Sequence, residues 1–244
     1  MSNYIHLHNH SHYSLLDGAC RIDDLVQAAV DNEMEALALT DHGVMFGAVE
    51  FYQKCAKAGV KPIVGVEAYM ANKSRKIKSK DKSDVTDTNY HLVLLAKNDV
   101  GYRNLMYMVS MGFLDGFYYR PRIDKELLRE YHEGIICTSA CLQGEVAYKA
   151  RHLGYEAAKE AAMEYREIFG DDYYLEVHNH SIPEEAQAAE IVLEISKDLS
   201  IPAIVSNDIH YLKREHSVPH DLLICLQTGK DRDDPKRLRY TTDD

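Results

Sequence analysis

Four histidines alternate near the start of the chain, in the stretch Tyr4-Ile5-His6-Leu7-His8-Asn9-His10-Ser11-His12. Side chains two residues apart on an extended strand point to the same face of a sheet. A strand here would place several imidazole rings side by side, which offers no benefit in an apolar core. The stretch therefore predicts a strand over residues 4–8 that leads into a polar functional site.

Short apolar runs alternate with amphipathic helical patterns along the rest of the chain. The first helical pattern carries an apolar stripe from Ile22 to Ala29 at the spacing of a buried helix face. Further strands are predicted at residues 36–40, 62–67, 91–96, 134–138, 173–177 and 202–206. Helices are predicted at residues 22–30, 47–58, 99–111, 145–152, 155–169 and 183–199. The last helix follows Ser181-Ile182-Pro183-Glu184, which has the spacing of a capping box with proline at the first helical position.

Strands that alternate with helices in this way indicate an α/β fold with a mainly parallel sheet. A closed β/α barrel and a doubly wound open sheet both produce this alternation, so periodicity alone leaves both open. The length of 244 residues allows one large domain or two small ones. One domain is favoured because the chain repeats a single supersecondary unit.

The composition excludes several classes of protein. The chain is 45% hydrophobic and carries 28 Lys and Arg against 39 Asp and Glu, a net charge of −11. No apolar run approaches the ~20 residues of a membrane helix, and the first residues lack a signal-peptide layout, so we expect a cytoplasmic protein without a membrane partner. The five cysteines contain no CxxC pair and are expected to be thiols. The acidic balance argues against a domain that grips nucleic acid by charge alone.

Two segments lack an apolar period. Residues 72–89 carry a basic run between Lys73 and Lys82 and predict a mobile surface loop. That run is either a solvated face or a local cationic contact to DNA or to an acidic partner. Residues 231–244 are polar and end without a stop signal, so we expect a domain over residues 1–230 followed by the start of a linker in a longer chain.

Polar side chains gather where the predicted strands end. The candidates with this placement are His8, His10, Asp17, His42, Glu67, Cys141, Asp208 and His210. Because the carboxyl ends of parallel strands share one face of the fold, we expect these side chains to meet at one mouth. His91 begins its apolar run instead of ending it, so its strand is a candidate to run opposite to the others.

Imidazoles, carboxylates and one thiolate suit borderline divalent ions, with Zn²⁺ first and Mn²⁺ or Fe²⁺ as alternatives. The candidates exceed the ligands of one ion, and two or three ions a few ångströms apart are the arrangement used for phosphoester hydrolysis. Individual residues have other interpretations. Asp17-Gly18 could be a tight turn, Asp208 could cap a turn, and Cys141 could be a small buried hydrophobe.

These residues resemble the polymerase and histidinol phosphatase (PHP) superfamily. The motifs are the run from His6 to Gly18, Thr40-Asp41-His42-Gly43, Pro62-Ile63-Val64-Gly65-Val66-Glu67 and Asn207-Asp208-Ile209-His210-Tyr211. Within the superfamily, the chain is similar to the PHP domains of bacterial replicative DNA polymerases over essentially all 244 residues, including Gly116 to Arg122 and Asp234 to Arg237. The resemblance implies a distorted, TIM-like, seven-stranded β/α barrel with up to three metal ions.

Carried over residue by residue, the resemblance implies nine metal ligands: His8, His10, Asp17, His42, Glu67, His91, Cys141, Asp208 and His210. It divides them among one ion near His8, His10, Glu67 and Asp208, a second near Asp17, His42 and His210, and a third near His91 and Cys141 with Glu67 bridging. The residues expected to carry catalysis are His8, His10, Glu67, Asp208 and His210.

Five further side chains are candidates to bind substrate or to hold the metal ligands in place. Arg120 and Arg122 could hold a phosphate of the substrate in bidentate fashion, although a structural salt bridge is an equal alternative. His180 repeats the alternating pattern after the sixth predicted strand and is expected to line the mouth and touch substrate. His6 and His12 are expected to support the ligands from outside.

The leading hypothesis is a metal-dependent phosphoesterase that acts as a 3′-to-5′ exonuclease of the proofreading type on a DNA 3′ end, beside polymerase domains of the same chain. One alternative is a phosphomonoesterase of the histidinol phosphatase kind. Another is a metal-stabilised structural module that docks the polymerase and a proofreading exonuclease subunit. Under the leading hypothesis, the acidic charge indicates a carboxylate-rich hydrolytic site that borrows its grip on DNA from the longer chain.

Overall fold

The computed structural model describes residues 4–15, 17–81 and 83–240. Within them, seven strands form one curled sheet: β1 Ala36–Leu39, β2 Lys61–Ala71, β3 Asn89–Ala96, β4 Arg122–Ile123, β5 Ile135–Thr138, β6 Tyr173–Val177 and β7 Ala203–Val205. The α-helices of the same residues are α1 Ile22–Asp31, α2 Ala48–Ala58, α3 Asp99–Leu114, α4 Lys125–Tyr131, α5 Glu145–Leu153, α6 Tyr155–Phe169, α7 Pro183–Leu199 and α8 Ser217–Thr228.

The sheet is mixed in direction. Its order is β1-β2-β3-β5-β6-β7, with the short β4 paired to β2. Strand β3 runs antiparallel to both β2 and β5, whereas the other pairs are parallel. The reversed direction inferred from His91 is confirmed, and the expected mainly parallel sheet is interrupted at its centre. No helix lies between β2 and β3 among the described residues, as a direct antiparallel connection allows.

The predicted strand at residues 4–8 was wrong, because this segment forms no strand of the sheet. It lies instead between the two edges of the sheet. On one side the Ala38 amide donates to the His6 carbonyl at 3.0 Å. On the other side the Ile209 amide donates to the His8 carbonyl at 3.1 Å, and the His10 amide donates to the Ile209 carbonyl at 2.8 Å. The result is a half-barrel whose edges are joined beside the first histidines.

The predicted helices are all present, with ends shifted by at most a few residues, while α4, α8 and β4 were not predicted. The proposed capping box was wrong, since the N-cap of α7 is Ile182 and makes no side-chain cap hydrogen bond. Pro183 does begin the helix, as predicted. The Glu185 carboxylate instead accepts a hydrogen bond from the His180 backbone amide at 2.7 Å.

Two of the three apolar clusters in the described part of the chain pack helices against the sheet. The larger cluster packs helices α3 to α7 on the sheet and includes Leu92, Leu105 and Val192. A smaller cluster joins α1 and α2 to β1 and includes Cys20 and Cys55. All five cysteines are free thiols, as expected.

The basic loop between β2 and β3 is fixed at Arg75, so the expectation of a mobile, solvated loop was wrong for this part. The buried Arg75 guanidinium donates to Asp124 Oδ1 at 2.8 Å, and the Arg75 backbone amide donates to Asp124 Oδ2 at 2.9 Å. Arg122 Nη2 donates to the carbonyls of Arg75 at 3.0 Å and Ile77 at 2.7 Å. Lys82 lies outside the described residues.

The described part of the polar C-terminal segment packs against α8. Both terminal nitrogens of Arg237 donate to the Asp221 carboxylate, at 2.6 and 2.8 Å. Residues 241–244 lie outside the described residues, and the boundary at residue 230 stays a prediction. Within the part of the chain that the structure describes, no helix is both long and apolar enough to cross a membrane.

The buried carboxylate of Glu145 gives a test of this packing. Lys125, Lys149 and Tyr165 contact it at 2.9, 2.7 and 2.8 Å. Burial opposes ionisation of Glu145, but the two lysines lower its pKa overall. Its ionised form therefore stabilises the fold above the ordinary pKa of a glutamate, and that contribution is lost as the pH falls through the lowered folded pKa.

We expect Glu145→Gln to reduce the free energy of unfolding by about 2 kcal/mol at pH 7, because the two lysines lose a buried anion. Urea denaturation should show the gap to the parent shrinking as the pH falls below the ordinary pKa of a glutamate. The matched variant Glu164→Gln removes a more exposed partner of Lys125 and should cost less than about 1 kcal/mol. Equal losses in the two variants would contradict this account.

Candidate metal centre

The carboxylate of Glu67 lies at the centre of the histidine cluster. It is 1% exposed and projects from β2. Its oxygens lie 2.6 Å from His42 Nδ1, 3.0 Å from His91 Nδ1, 3.2 Å from His8 Nε2 and 3.4 Å from His10 Nε2. One buried carboxylate therefore contacts four imidazoles that come from three separate segments of the chain.

Asp208 closes the other side of the same cluster. Its Oδ1 lies 3.2 Å from His8 Nε2 and 3.1 Å from His10 Nε2. The backbone of Asp208 is left-handed, with φ of 47°, an uncommon conformation that turns the chain directly after β7. The His210 ring then stacks on the His10 ring with centroids 4.3 Å apart, and its Nδ1 donates to the Asp208 carbonyl at 2.9 Å.

Asp17 and Cys141 complete the predicted set of nine. Asp17 Oδ2 lies 3.4 Å from His42 Nε2, although Asp17-Gly18 also forms a turn in which the Gly18 amide donates to the Ser14 carbonyl at 2.8 Å. Cys141 Sγ lies 3.7 Å from His91 Nδ1 and 3.8 Å from Glu67 Oε1. The structure thus brings all nine predicted ligands into one continuous cluster.

The charges in this cluster shift one another's pKa. Burial lowers the pKa of His8, but the carboxylates around it, Asp208 first among them, raise it well above its ordinary value. Burial also lowers the pKa of His42, yet Glu67 and the other carboxylates raise it to about 9. Burial opposes ionisation of Glu67, while the surrounding histidines hold its pKa well below its usual range. Burial and the carboxylates raise the pKa of the Cys141 thiol.

The unpaired polar atoms of the cluster fit divalent cations. Ten buried side-chain nitrogen and oxygen atoms in the described part of the chain lack a hydrogen-bond partner, and six belong to the predicted ligands: His8 Nε2, His10 Nε2, Asp17 Oδ1, His42 Nδ1, Glu67 Oε2 and Asp208 Oδ1. Buried polar groups that make no hydrogen bond are costly, so these atoms suit a site in which a cation compensates them. Imidazole nitrogen and carboxylate oxygen are the donors that Zn²⁺, Mn²⁺ and Fe²⁺ accept.

The ligating atoms form overlapping groups within 4.8 Å. These are His8–His10–Glu67, His42–Glu67–His91 and His10–His42–His210. The first group lies within the set implied for the first ion. The second group places His42 with His91 and Glu67, and the third group places His210 with His10. Neither group matches the set implied for one ion, so the division of the ligands among three ions stays a prediction.

Glu176 is a buried carboxylate in β6 that sequence reasoning missed. It accepts a hydrogen bond from His8 Nδ1 at 2.8 Å and also contacts His178 Nε2 at 3.0 Å, Thr138 Oγ1 and Ser206 Oγ. Burial raises the pKa of Glu176, but His8 and His178 lower it overall, so the carboxylate is ionised. An acidic residue inside an otherwise apolar strand was the available signal.

A second support fixes the ring of His10. The Ser14 hydroxyl donates to Asp41 Oδ1 at 2.8 Å, so its oxygen accepts from His10 Nδ1 at 3.0 Å. His8 and His10 therefore both direct Nε2 toward Glu67 and Asp208. Outer hydrogen bonds of this kind set the tautomer and orientation of metal-binding histidines.

The predicted substrate residues separate into different environments. The exposed Arg120 guanidinium lies 5.4 Å from the Tyr69 ring, which stacks on His42, so it stands at the rim of the cluster. Arg122 is buried and bonded to backbone carbonyls, so the structure contradicts its assignment as a phosphate-binding residue. His180 uses both ring nitrogens, on Glu185 and the Asn207 carbonyl.

His6 and His12 do not contact the cluster in the way His8 and His10 do. The His6 ring packs edge-on against Tyr4 with centroids 4.7 Å apart. The exposed His12 ring lies 4.4 Å from Tyr13. Of the four alternating histidines, only two therefore enter the cluster of predicted ligands.

Comparisons with known proteins agree with this geometry. A family model described as "PHP domain" matches residues 6–180. The chain belongs to this family. The match covers His8, His10, Asp17, His42, Glu67, His91 and Cys141, while Asp208 and His210 lie beyond it.

Curated relatives of this PHP domain are DNA polymerase III subunits by name. The chain is 45% identical over 243 residues to the DNA polymerase III subunit alpha of Borreliella burgdorferi, covering 100% of this chain and 21% of that protein. It is 46% identical to the same subunit of Treponema pallidum and 40% identical to that of Thermus aquaticus, covering 99% of this chain in each case and 21% and 20% of those proteins. The chain spans about a fifth of the length of these relatives.

Two solved structures share the fold of this PHP domain at 15% sequence identity. One is an amidohydrolase from Chromobacterium violaceum with bound sulfate and no metal, with a TM-score of 0.56 over 84% of this chain and 87% of that one. The other is a candidate metal-dependent phosphoesterase from Bifidobacterium adolescentis, with a TM-score of 0.54 over 85% and 87%. The predicted distorted β/α barrel is confirmed, in the form of a curled, mixed sheet.

The bond between Glu176 and His8 gives a test of the metal centre. We expect Glu176→Gln to weaken binding of Zn²⁺ or Mn²⁺ by about 10- to 100-fold, because the neutral amide no longer favours the His8 tautomer that presents Nε2. Competition with a chromophoric chelator measures the affinity directly. Glu194→Gln, on the exposed face of α7, is the matched control and should bind as the parent does. If Glu176→Gln binds the metal ion as tightly as the parent, Glu176 does not support the metal centre.

Proposed function

We propose that the chain is a divalent-metal-dependent phosphoesterase that removes nucleotides from the 3′ end of DNA. The observation that carries this proposal is the convergence of eight further predicted ligands on one cluster with Glu67, in which six buried ligating atoms make no hydrogen bond. Two or three divalent ions bound there would supply Lewis acidity toward phosphoryl oxygens and lower the pKa of water. The candidate ions are Zn²⁺, Mn²⁺ and Fe²⁺.

The protein's own groups prepare the cluster for this chemistry. Glu176 and Ser14 accept hydrogen bonds from the outer nitrogens of His8 and His10, which makes the inner nitrogens the atoms that would ligate a metal ion. Glu67 offers two oxygens to different neighbours, which suits it to bridge adjacent ions. Arg120 stands at the rim, where its guanidinium would meet a phosphate that does not react.

The assignment of DNA as substrate rests on the relatives. They are named as DNA polymerase subunits, and this chain matches about a fifth of their length. We therefore propose that the domain works in the cytoplasm beside polymerase domains of the same chain. In this arrangement a DNA 3′ end leaves the polymerase and enters the metal centre, and a separate proofreading exonuclease subunit is a further candidate partner.

A nuclease assay tests this function. The chain is stripped with a chelator, restored with Mn²⁺ or Zn²⁺, and mixed with single-stranded DNA labelled at its 5′ end. We expect stepwise shortening from the 3′ end that stops when the chelator is added again. The double variant His8→Ala, Asp208→Ala should lose at least about 100-fold in rate, because it removes two neighbouring donors.

The matched control is His132→Ala, Asp171→Ala, which removes the same residue types from exposed positions. It should retain the parent rate. If the His8→Ala, Asp208→Ala variant shortens DNA at the parent rate, the cluster is not the hydrolytic site. Turnover of a small phosphomonoester without any shortening of DNA would replace the exonuclease with a phosphatase, and bound metal without hydrolysis would indicate a structural module.

A further inference from the structure

A cavity opens beside the metal centre, between α8 and the polar segment that follows it. It has a volume of about 690 Å³. The side chains that give it its chemistry are Tyr211, His220, Arg232, Arg237, Arg239 and Tyr240. Aromatic rings and guanidinium groups dominate this wall, in contrast to the imidazoles and carboxylates of the metal centre.

Aromatic rings lead from the metal centre into this cavity without a gap. The Tyr240 ring lies 5.5 Å from the His210 ring and 4.8 Å from the His220 ring, measured between centroids. The Tyr211 ring lies 5.0 Å from the His220 ring. Tyr240 is 46% exposed, so the row of rings reaches the surface at this residue.

Arginines form the charged part of the cavity wall. Arg237 is buried on Asp221, and its Nε donates to the Arg232 carbonyl at 2.8 Å, which fixes the segment that carries the other two. Arg232 and Arg239 are exposed. The wall carries three arginines and two aspartates, Asp221 and Asp233, in a chain whose net charge is −11. Asp221 contacts both Arg237 and, at 3.5 Å, Arg232, so the wall has an excess of one positive charge.

We infer that this cavity binds the single strand of DNA that leads to the reacting phosphodiester, with a base on Tyr240 and phosphates at Arg232 and Arg239. The inference rests on the proposed function and deepens it by naming the residues that hold the strand outside the metal centre. Aromatic faces accept any base, and guanidinium groups attract phosphates without reading sequence, which is how single strands are held. A duplex keeps its bases stacked inside, and a small phosphomonoester needs only the metal centre.

Binding without hydrolysis tests the inference separately from the nuclease. The chain is kept in chelator at low salt, and the anisotropy of a fluorescein-labelled oligothymidine is followed. We expect Arg232→Glu, Arg239→Glu to raise Kd about tenfold or more and to reduce the salt slope of log K by about 1.4, the value for two single-strand phosphates. Tyr240→Ala should raise Kd at least about fivefold with the slope unchanged, because it removes one stacking partner.

The matched control is Arg103→Glu, Arg129→Glu, which makes the same change in charge at exposed positions of α3 and α4. It should bind the oligonucleotide nearly as the parent does, and thermal unfolding of each variant checks that it is folded. The inference is overturned if the cavity variants bind as tightly as the parent, if the control loses as much affinity, or if the parent does not bind the strand.

A parallel measurement keeps the two proposals apart. The parent is loaded with Mn²⁺ and given bis(4-nitrophenyl) phosphate, a small diester that needs no strand-binding cavity. If the parent hydrolyses this diester but does not bind the oligonucleotide, the proposed strand-binding role of the cavity is wrong and the proposed phosphoesterase activity stands. If the parent binds the strand through the cavity but hydrolyses no phosphoester, the strand-binding role of the cavity is supported and the proposed hydrolysis is wrong.

Discussion

The rest of the site depends on a single buried anion, the carboxylate of Glu67. A carboxylate that is 1% exposed requires compensation, since transfer of an unpaired charge from water into a protein interior is strongly unfavourable. Four imidazoles within 3.4 Å supply that compensation, and they are attached to segments that are far apart in the sequence. The positions of β2, β3 and the two loops that carry the other histidines are thereby tied to one point.

Much of the fold followed from local patterns, because helices with an apolar stripe and short apolar strands form for reasons contained in neighbouring residues. Even the reversal of β3 was visible, as His91 stood at the wrong end of its apolar run. Residues 4–8 failed as a strand because their hydrogen bonds go to Ala38 and Ile209, which no local pattern reveals. Pairing over such distances is a property of the complete fold.

The predicted metal ligands came from residue types at strand ends and from the family resemblance, whereas the residues around them were not predicted. Glu176 looks like one acidic residue in a strand until the fold places it on His8. Arg75 and Arg122 look like surface cations until Asp124 and the loop carbonyls are seen around them. A buried charge is recognised by its partners, and partners that are distant in sequence cannot be read from composition.

The segment from His6 to His10 joins β1 to the residues after β7, and this has a kinetic consequence. His8 and Asp208 belong to one cluster although about 200 residues separate them along the chain. Contacts of such long range form late, because the entropy of closing the intervening loop must be overcome first. We therefore expect the cluster to form late in folding, and affinity for metal to develop with the finished fold. Metal ions added during refolding should bind last, and only to molecules in which the segment from His6 to His10 already contacts the residues after β7.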